Sequence, residues 1–143
     1  MDDLDEKLLA ALAANSSTPT SQLARRFRIA RSTVQARIER LEREGIIAGY
    51  TVRLGQALTL RRIRATVLVQ AEPRATAQIL QRLKAMPEVE LAHTTTGRVD
   101  LILQIAAETT RDLDETLDRL GSIPGIRDTE SLIHLSNKID RAV

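Results

Sequence analysis

The sequence predicts an α+β chain in two parts: an N-terminal helix-turn-helix domain, winged-helix-like, followed by a ferredoxin-like βαββαβ domain. Three observations lead there. Up to Gly45, apolar residues recur at helical spacing and are interrupted by two short breaks. From Ile63 onward, stretches of alternating apolar residues exchange with helical stretches in the order βαββαβ. Finally, the motif L-x-x-(M/I)-P-x-(V/I) occurs at Leu83 and again at Leu120, 37 residues later, as two βαβ halves would place it.

Leu4, Leu8, Leu9 and Leu12 define a first helix, with Asp2, Asp3 and Asp5 at the end where a helix dipole favours anions. The run Asn15–Ser21 breaks it. Thr18 followed by Pro19 reads as an N-cap with proline at the first helical position, opening a short second helix that runs to about Phe27 and buries Leu23, Ala24 and Phe27. Arg28 to Ala30 is a tight turn. Val34, Ile38 and Leu41 then mark a third helix, which Gly45 stops. The stretch Ile46–Leu54 has strand character, and Gly55–Arg62 reads as a linker. The expected boundaries are 1–50 for the helical domain, 51–61 for a linking strand and loop, and 62–143 for the second domain.

In that second domain Ile63, Ala65, Val67 and Val69 alternate as a strand, and residues 73–86 follow as a helix. Two further strands meet near Gly97. Residues 109–121 form a helix with Leu113, Leu117 and Leu120 as its buried stripe, and the stretch from Ile126 closes as a fourth strand. Each copy of the repeated motif marks a helix stopping at proline before a strand begins. Both helices of such a fold cover one face of the sheet. Leu68, Ile102 and Leu132 are expected on the other, where another subunit would cover them.

Composition narrows the chemistry. The 143 residues contain one Phe, one Tyr and no Trp, which argues against aromatic platforms that stack single-stranded bases. Cysteine is absent, so there is no disulfide framework, thiolate nucleophile or cysteine metal site, and a reducing cytoplasm suits the chain. No apolar run approaches a membrane span and the acidic first residues do not resemble an export signal. His93 and His134 lack the neighbouring ligands a metal site needs, and no nucleophile motif, P-loop or dinucleotide fingerprint is present, so no enzyme is expected.

Charge is unevenly placed. Between Arg25 and Glu44 seven arginines face three glutamates, a net of +4; in a chain whose formal charge is +2, everything else is therefore net −2. On the third helix, with Val34 pointing inward, Ser32, Ala36, Glu39, Arg40 and Arg43 fall on the outward side and Gln35 and Arg37 on the flanks. A face that is small near the helix start, with Arg and Gln available for base edges, suits a major groove. Arg25, Arg26 and the later arginines would neutralise phosphates. The plainer alternative is a solvated helix with pairs such as Arg40 and Glu44. A preceding short helix and turn favour duplex DNA.

The segments "LDEKLLAAL" from Leu4, "LARRFRIARSTVQARIERLEREGIIAGY" ending at Tyr50, "TGRVDLILQI" from Thr96 and "IPGIRDTESLIHLS" from Ile123 together resemble the Lrp/AsnC (feast/famine) family of transcription regulators. The resemblance implies sequence-specific binding of double-stranded DNA, with Arg25, Arg26, Arg31, Ser32, Thr33, Gln35, Ala36, Arg37 and Arg40 as candidate contacts. It also implies a C-terminal domain for effector binding and oligomerisation, giving a homodimer that can build a tetramer, octamer or similar ring. No cofactor is implied. A small effector such as an amino acid would bind between C-terminal domains near the family pattern G-x-(aromatic)-D, here Gly97, Arg98, Val99 and Asp100, with Thr94 and Thr96 beside it. Val99 stands in place of the aromatic, and Arg98 adds a charge. By spacing alone Gly97 is a hairpin residue with positive φ, and Asp100 would accept hydrogen bonds either from an effector amine or from loop amides. Ala30 stands where the family often has a serine cap; Ser32 with Gln35 offers a capping box instead, which would start the helix two residues later.

Overall fold

The computed structural model describes residues 1–59 and 61–140. Leu60, in the expected linker, and residues 141–143, at the end of the expected second domain, lie outside the described residues. The chain divides into two compact units, Met1–Arg53 and Leu54–Asp140.

Three helices build the first unit: α1 (Asp3–Ala14), α2 (Thr20–Phe27) and α3 (Arg31–Arg43). The acidic start of α1 forms a reciprocal cap, in which the Asp5 N–H donates to Asp2 Oδ1 at 2.9 Å and the Asp2 N–H donates to Asp5 Oδ2 at 3.2 Å. Leu8 and Leu12 of α1 meet Leu23 and Ala24 of α2 and Val34 of α3 in one apolar cluster. The turn between α2 and α3 passes through Arg28, which ends α2 in a left-handed conformation at φ 57° while its N–H returns to the Ala24 carbonyl. Gly45, at φ 75°, turns the chain out of α3.

Three expectations for this unit need correction. Thr18 is not the cap of α2: its hydroxyl donates to the Asn15 carbonyl at 2.8 Å, closing the preceding turn, and Pro19 takes the cap position, its carbonyl accepting from Gln22 and Leu23. The third helix begins at Arg31 with Ala30 as its cap and no side-chain capping bond, so Ser32 and Gln35 form no capping box. Gln35 reaches forward along the helix instead, toward Glu39. The stretch Ile46–Leu54 forms no strand, although Val52 and Leu54 suit one, because no ladder partner lies beside it in this unit.

The second unit opens with a single turn, α4 (Gln56–Thr59), inside what reads from sequence as a linker. Then follow β1 (Ile63–Ala71), α5 (Thr76–Lys84), β2 (Val89–Thr94), β3 (Leu101–Ala107), α6 (Thr110–Gly121) and β4 (Ile126–Ile133). The strands pair antiparallel in the order β2-β3-β1-β4, the ferredoxin-like arrangement. Ala65, Val67 and Val69 of β1 and Leu101, Leu103 and Ile105 of β3 point to the helical side, where Ile79 and Leu83 of α5 and Leu113 and Leu120 of α6 close over them. Burying each such Leu, Ile or Val side chain contributes about 1.5–3 kcal/mol. The helix expected from residue 73 starts at Thr76 because Arg74 takes a positive φ of 69°, and Ala75 N–H closes the turn onto the Glu72 carbonyl.

The repeated motif is a repeated structure. After α5 the Met86 N–H bonds the Leu83 carbonyl and the Val89 N–H bonds that of Met86; after α6 Ile123 bonds Leu120 and Ile126 bonds Ile123 in the same pattern. The two turns differ at Glu88 and Gly125. Gly125 has φ 98°, and a Cβ placed on it would lie 2.6 Å from that of Ala75, so only glycine fits. On the sheet's other face Leu68 sits opposite Ile102, and Leu132 opposite Thr66 with 49% of its surface exposed.

Candidate nucleic-acid interface and ligand loop

At about 100° per residue, Arg37 and Arg40 lie about 60° and 120° from Val34 on the same side of α3. That side faces α1. Asp5, with no exposed surface, accepts from Arg37 Nη1 through Oδ1 at 3.2 Å and from Arg40 Nη2 through Oδ2 at 2.5 Å. Arg37 also bonds the Asp2 carboxylate. A buried carboxylate is tolerated only when compensated in this way. The Arg37 guanidinium, with the Asp5 N–H, lowers the Asp2 carboxyl to about 2, and the two aspartates raise Arg37 above its ordinary value. Arg40 is therefore paired across helices with Asp5, rather than with Glu44 along its own helix. Sequence periodicity missed these partners: the acids at the start of α1 read as dipole residues, and nothing local links them to residues 32 to 35 positions away.

The remaining candidates are placed differently. Arg31, Ser32, Gln35 and Ala36 are exposed at the start of α3, and Thr33 is half-buried. Arg25 and Arg26 are exposed in the last turn of α2, and Arg26 lies over the Phe27 ring at 5.9 Å from its centroid. Arg28, at the turn, and Arg43, at the end of α3, add further exposed cations. The seven arginines from Arg25 to Arg43 thus sort into two that brace α3 against α1 and five open to solvent.

In the second unit one hairpin gathers Thr94, Thr96, Gly97, Arg98, Val99 and Asp100. Gly97 has φ 98°, the conformation its spacing suggested. Thr95 holds the loop through its N–H to the Asp100 carbonyl at 3.0 Å and its hydroxyl to the Val99 carbonyl at 2.9 Å. Asp100 accepts from a backbone amide, the Ala71 N–H at 2.8 Å, while its own N–H donates to the Val69 carbonyl at 2.8 Å. It thereby ties the hairpin to the end of β1. Gln70 Nε2 donates to the Arg98 carbonyl at 3.1 Å, and the Arg98 guanidinium lies 3.7 Å from Glu130. The exposed hydroxyls of Thr94 and Thr96 remain at the rim. Gln70 and Ala71 belong to this loop's framework, and no local pattern in the sequence marks them.

Among the described residues no group of three or more His, Asp or Glu side chains is placed to hold a metal ion, and no helix is long and apolar enough to cross a membrane.

Comparison with known proteins agrees with this arrangement. Residues 1–48 match the family model of a winged helix-turn-helix DNA-binding domain, and residues 64–143 match that of the Lrp/AsnC ligand binding domain. The chain is 32% identical over 136 residues to the HTH-type transcriptional regulator LysM of Saccharolobus solfataricus, covering 94% of each protein. Among solved structures it is similar to AsnC of E. coli, with a TM-score of 0.91 at 26% identity, covering 100% of this chain and 97% of that one. It shares the fold of a transcriptional regulator of Neisseria meningitidis solved as a complex with L-Met, with a TM-score of 0.89 at 24% identity, covering 100% and 96%. The chain belongs to the Lrp/AsnC family, a transcriptional regulator with a helix-turn-helix DNA-binding domain at its N-terminus and a ligand-binding domain at its C-terminus.

Proposed function

We propose that this regulator reads a specific duplex sequence by placing the start of α3 in the major groove. The observation that carries the reading is the outward presentation of Arg31, Ser32, Gln35 and Ala36, while Arg37 and Arg40 are held against α1. Arg31 suits guanine and Gln35 adenine, with the small Ser32 and Ala36 permitting close approach. Arg25 and Arg26 are assigned to phosphates. Arg37 and Arg40, first expected to contact DNA, are assigned to holding the helix in place.

The apolar strip of Leu68, Ile102 and Leu132 supports a homodimer formed through the open sheet face, and from it larger rings. Such a dimer presents two copies of α3 to half-sites about one helical turn, or a multiple of it, apart. A small effector, of which an amino acid is the first class to test, would bind between C-terminal domains at the 94–100 loop. Thr94, Thr96, the Gly97 backbone and the exposed Arg98 guanidinium are polar groups it could meet, with Val99 beside them, while Asp100 and Thr95 already serve the loop itself. The effector acts only by favouring one assembly or one placement of the helices. The functional domains are drawn at 1–50 and 62–143, joined by 51–61. The protein works in the cytoplasm as a binding protein and not as an enzyme.

Selection of bound sequences from a random duplex library, with and without a panel of amino acids, tests this. The expected result is a palindromic site whose binding weakens by about 10- to 100-fold in the Arg31→Ala, Gln35→Ala double variant. Recovery of no preferred duplex at low or moderate salt would instead favour a metabolite-binding module without DNA readout.

A further inference from the structure

Resting on that reading of α3, we infer that Glu39 is a positioning residue that fixes the Gln35 amide for adenine and thereby sets the base preference of the recognition helix. The two side chains are one helical turn apart on the exposed face, and Gln35 Nε2 donates to Glu39 Oε1 at 3.2 Å. Glu39 is an odd residue for that surface. It lies within about 40° of the direction opposite Val34, among Ser32, Ala36 and Arg43, where a carboxylate would repel the phosphates on either side of a groove. Arg43, one turn further on at the position where an i,i+4 pair would form, makes no ion pair with it, and among the described residues Glu39 makes none. Its hydrogen-bond partner is the amide that the reading above places on a base edge.

The chemistry of a primary amide gives this contact a meaning. One N–H lies on the same side as the carbonyl oxygen, and that edge forms the bidentate pair with adenine, accepting from N6 and donating to N7. The other N–H points away from the base. An ionised carboxylate only accepts, so Glu39 holds this outer N–H and excludes the flipped amide, whose oxygen would face the carboxylate. A pinned amide presents one acceptor and one donor, matching adenine. Guanine offers two acceptors, N7 and O6, and would require both N–H groups, one of which Glu39 occupies.

The test uses the full-length chain and the duplex chosen by library selection, together with a version carrying G·C in place of the A·T pair that Gln35→Ala ceases to distinguish. Competition binding compares wild type, Glu39→Ala, Glu39→Gln, Gln35→Ala and the Gln35→Ala, Glu39→Ala double variant, with helix content checked by circular dichroism. Glu39→Ala should keep the helix, since alanine is the better helix former, and lower the adenine-over-guanine preference by about fivefold, part of the discrimination a bidentate contact provides. Glu39→Gln, whose amide can accept from one orientation of Gln35 or donate to the flipped one, no longer excludes the flip and should lower that preference as well. In the Gln35→Ala background, removing Glu39 should change it no further. An unchanged preference in Glu39→Ala overturns the inference while leaving the DNA reading intact. So does an equal change in the Gln35→Ala background, which would mean that Glu39 contacts a base itself, for instance the cytosine amino group. A wild-type chain that selects no duplex removes the reading of α3 and this inference with it.

Discussion

The first unit buries a carboxylate, Asp5, between two helices where two arginines hold it; the core of the second is Ala, Val, Leu, Ile and Met, and its buried Thr116 bonds within its own helix, donating to the Asp112 carbonyl and accepting from Arg119. Apolar packing is non-directional and tolerates sliding of one surface over another, whereas a carboxylate with two guanidinium partners fixes both the rotation and the register of α3 against α1. The helix we propose to meet base edges is the one tied by directional bonds. The sheet domain has no such demand on its core, and its polar contacts lie elsewhere, at the 94–100 hairpin and in pairs such as Arg119 with Glu88.

The largest expected effect separates the two units. Asp5→Ala removes the bonds to Arg37 and Arg40 and one side of the α1 cap, and should destabilise the first unit by about 3 kcal/mol. Hydrogen exchange should show α1 and α3 amides losing protection while β1 and β3 keep theirs; equal loss in both units would mean they unfold together and the contrast is thermodynamically empty. In the second unit the matching weak point is steric. Gly125→Ala combines a positive φ with overlap against Ala75 and should cost about 2–3 kcal/mol, read as a lower denaturant midpoint for the sheet with α1 to α3 unaffected.

Acid gives the smallest and sharpest test. The Asp2 carboxyl in the folded state lies at about 2 against an ordinary 3.8, so its contribution is complete above 3.8 and is lost as pH falls toward 2. Arg119 likewise lowers Glu88 in the second unit, so both units weaken in acid, but only in the first does the titrating group belong to the brace of α3. Protection at the start of α1 should fall over that window while Val67 and Leu103 amides remain protected. Earlier loss in the sheet would reverse the comparison.

What the sequence made legible follows the same division. Alternation along Ile63–Val69 and the helical stripe through Leu113 and Leu120 are short-range patterns, and they yielded the order of strands and helices and the face each buries. Gly97 was legible as a turn for the same reason. What escaped depends on partners distant in the chain or on one residue's backbone. Thr18 reads as a cap until Asn15 is seen to take its hydroxyl, α5 starts late because Arg74 adopts a positive φ, and Ile46–Leu54 has strand composition without a strand to pair with. The aspartate partners of Arg37 and Arg40 escape for the same reason, because a cluster of arginines looks alike from sequence whether it faces a phosphate or an aspartate.

The reciprocal cap at the head of α1 has a practical side. Both the main-chain N–H and the carboxylate of Asp2 serve it, the N–H donating to Asp5 Oδ2 and the carboxylate accepting from the Asp5 N–H and, beyond the cap, from Arg37. Trimming to Asp3 would therefore remove both bonds of the cap and one partner of Arg37, and so loosen the seat of α3.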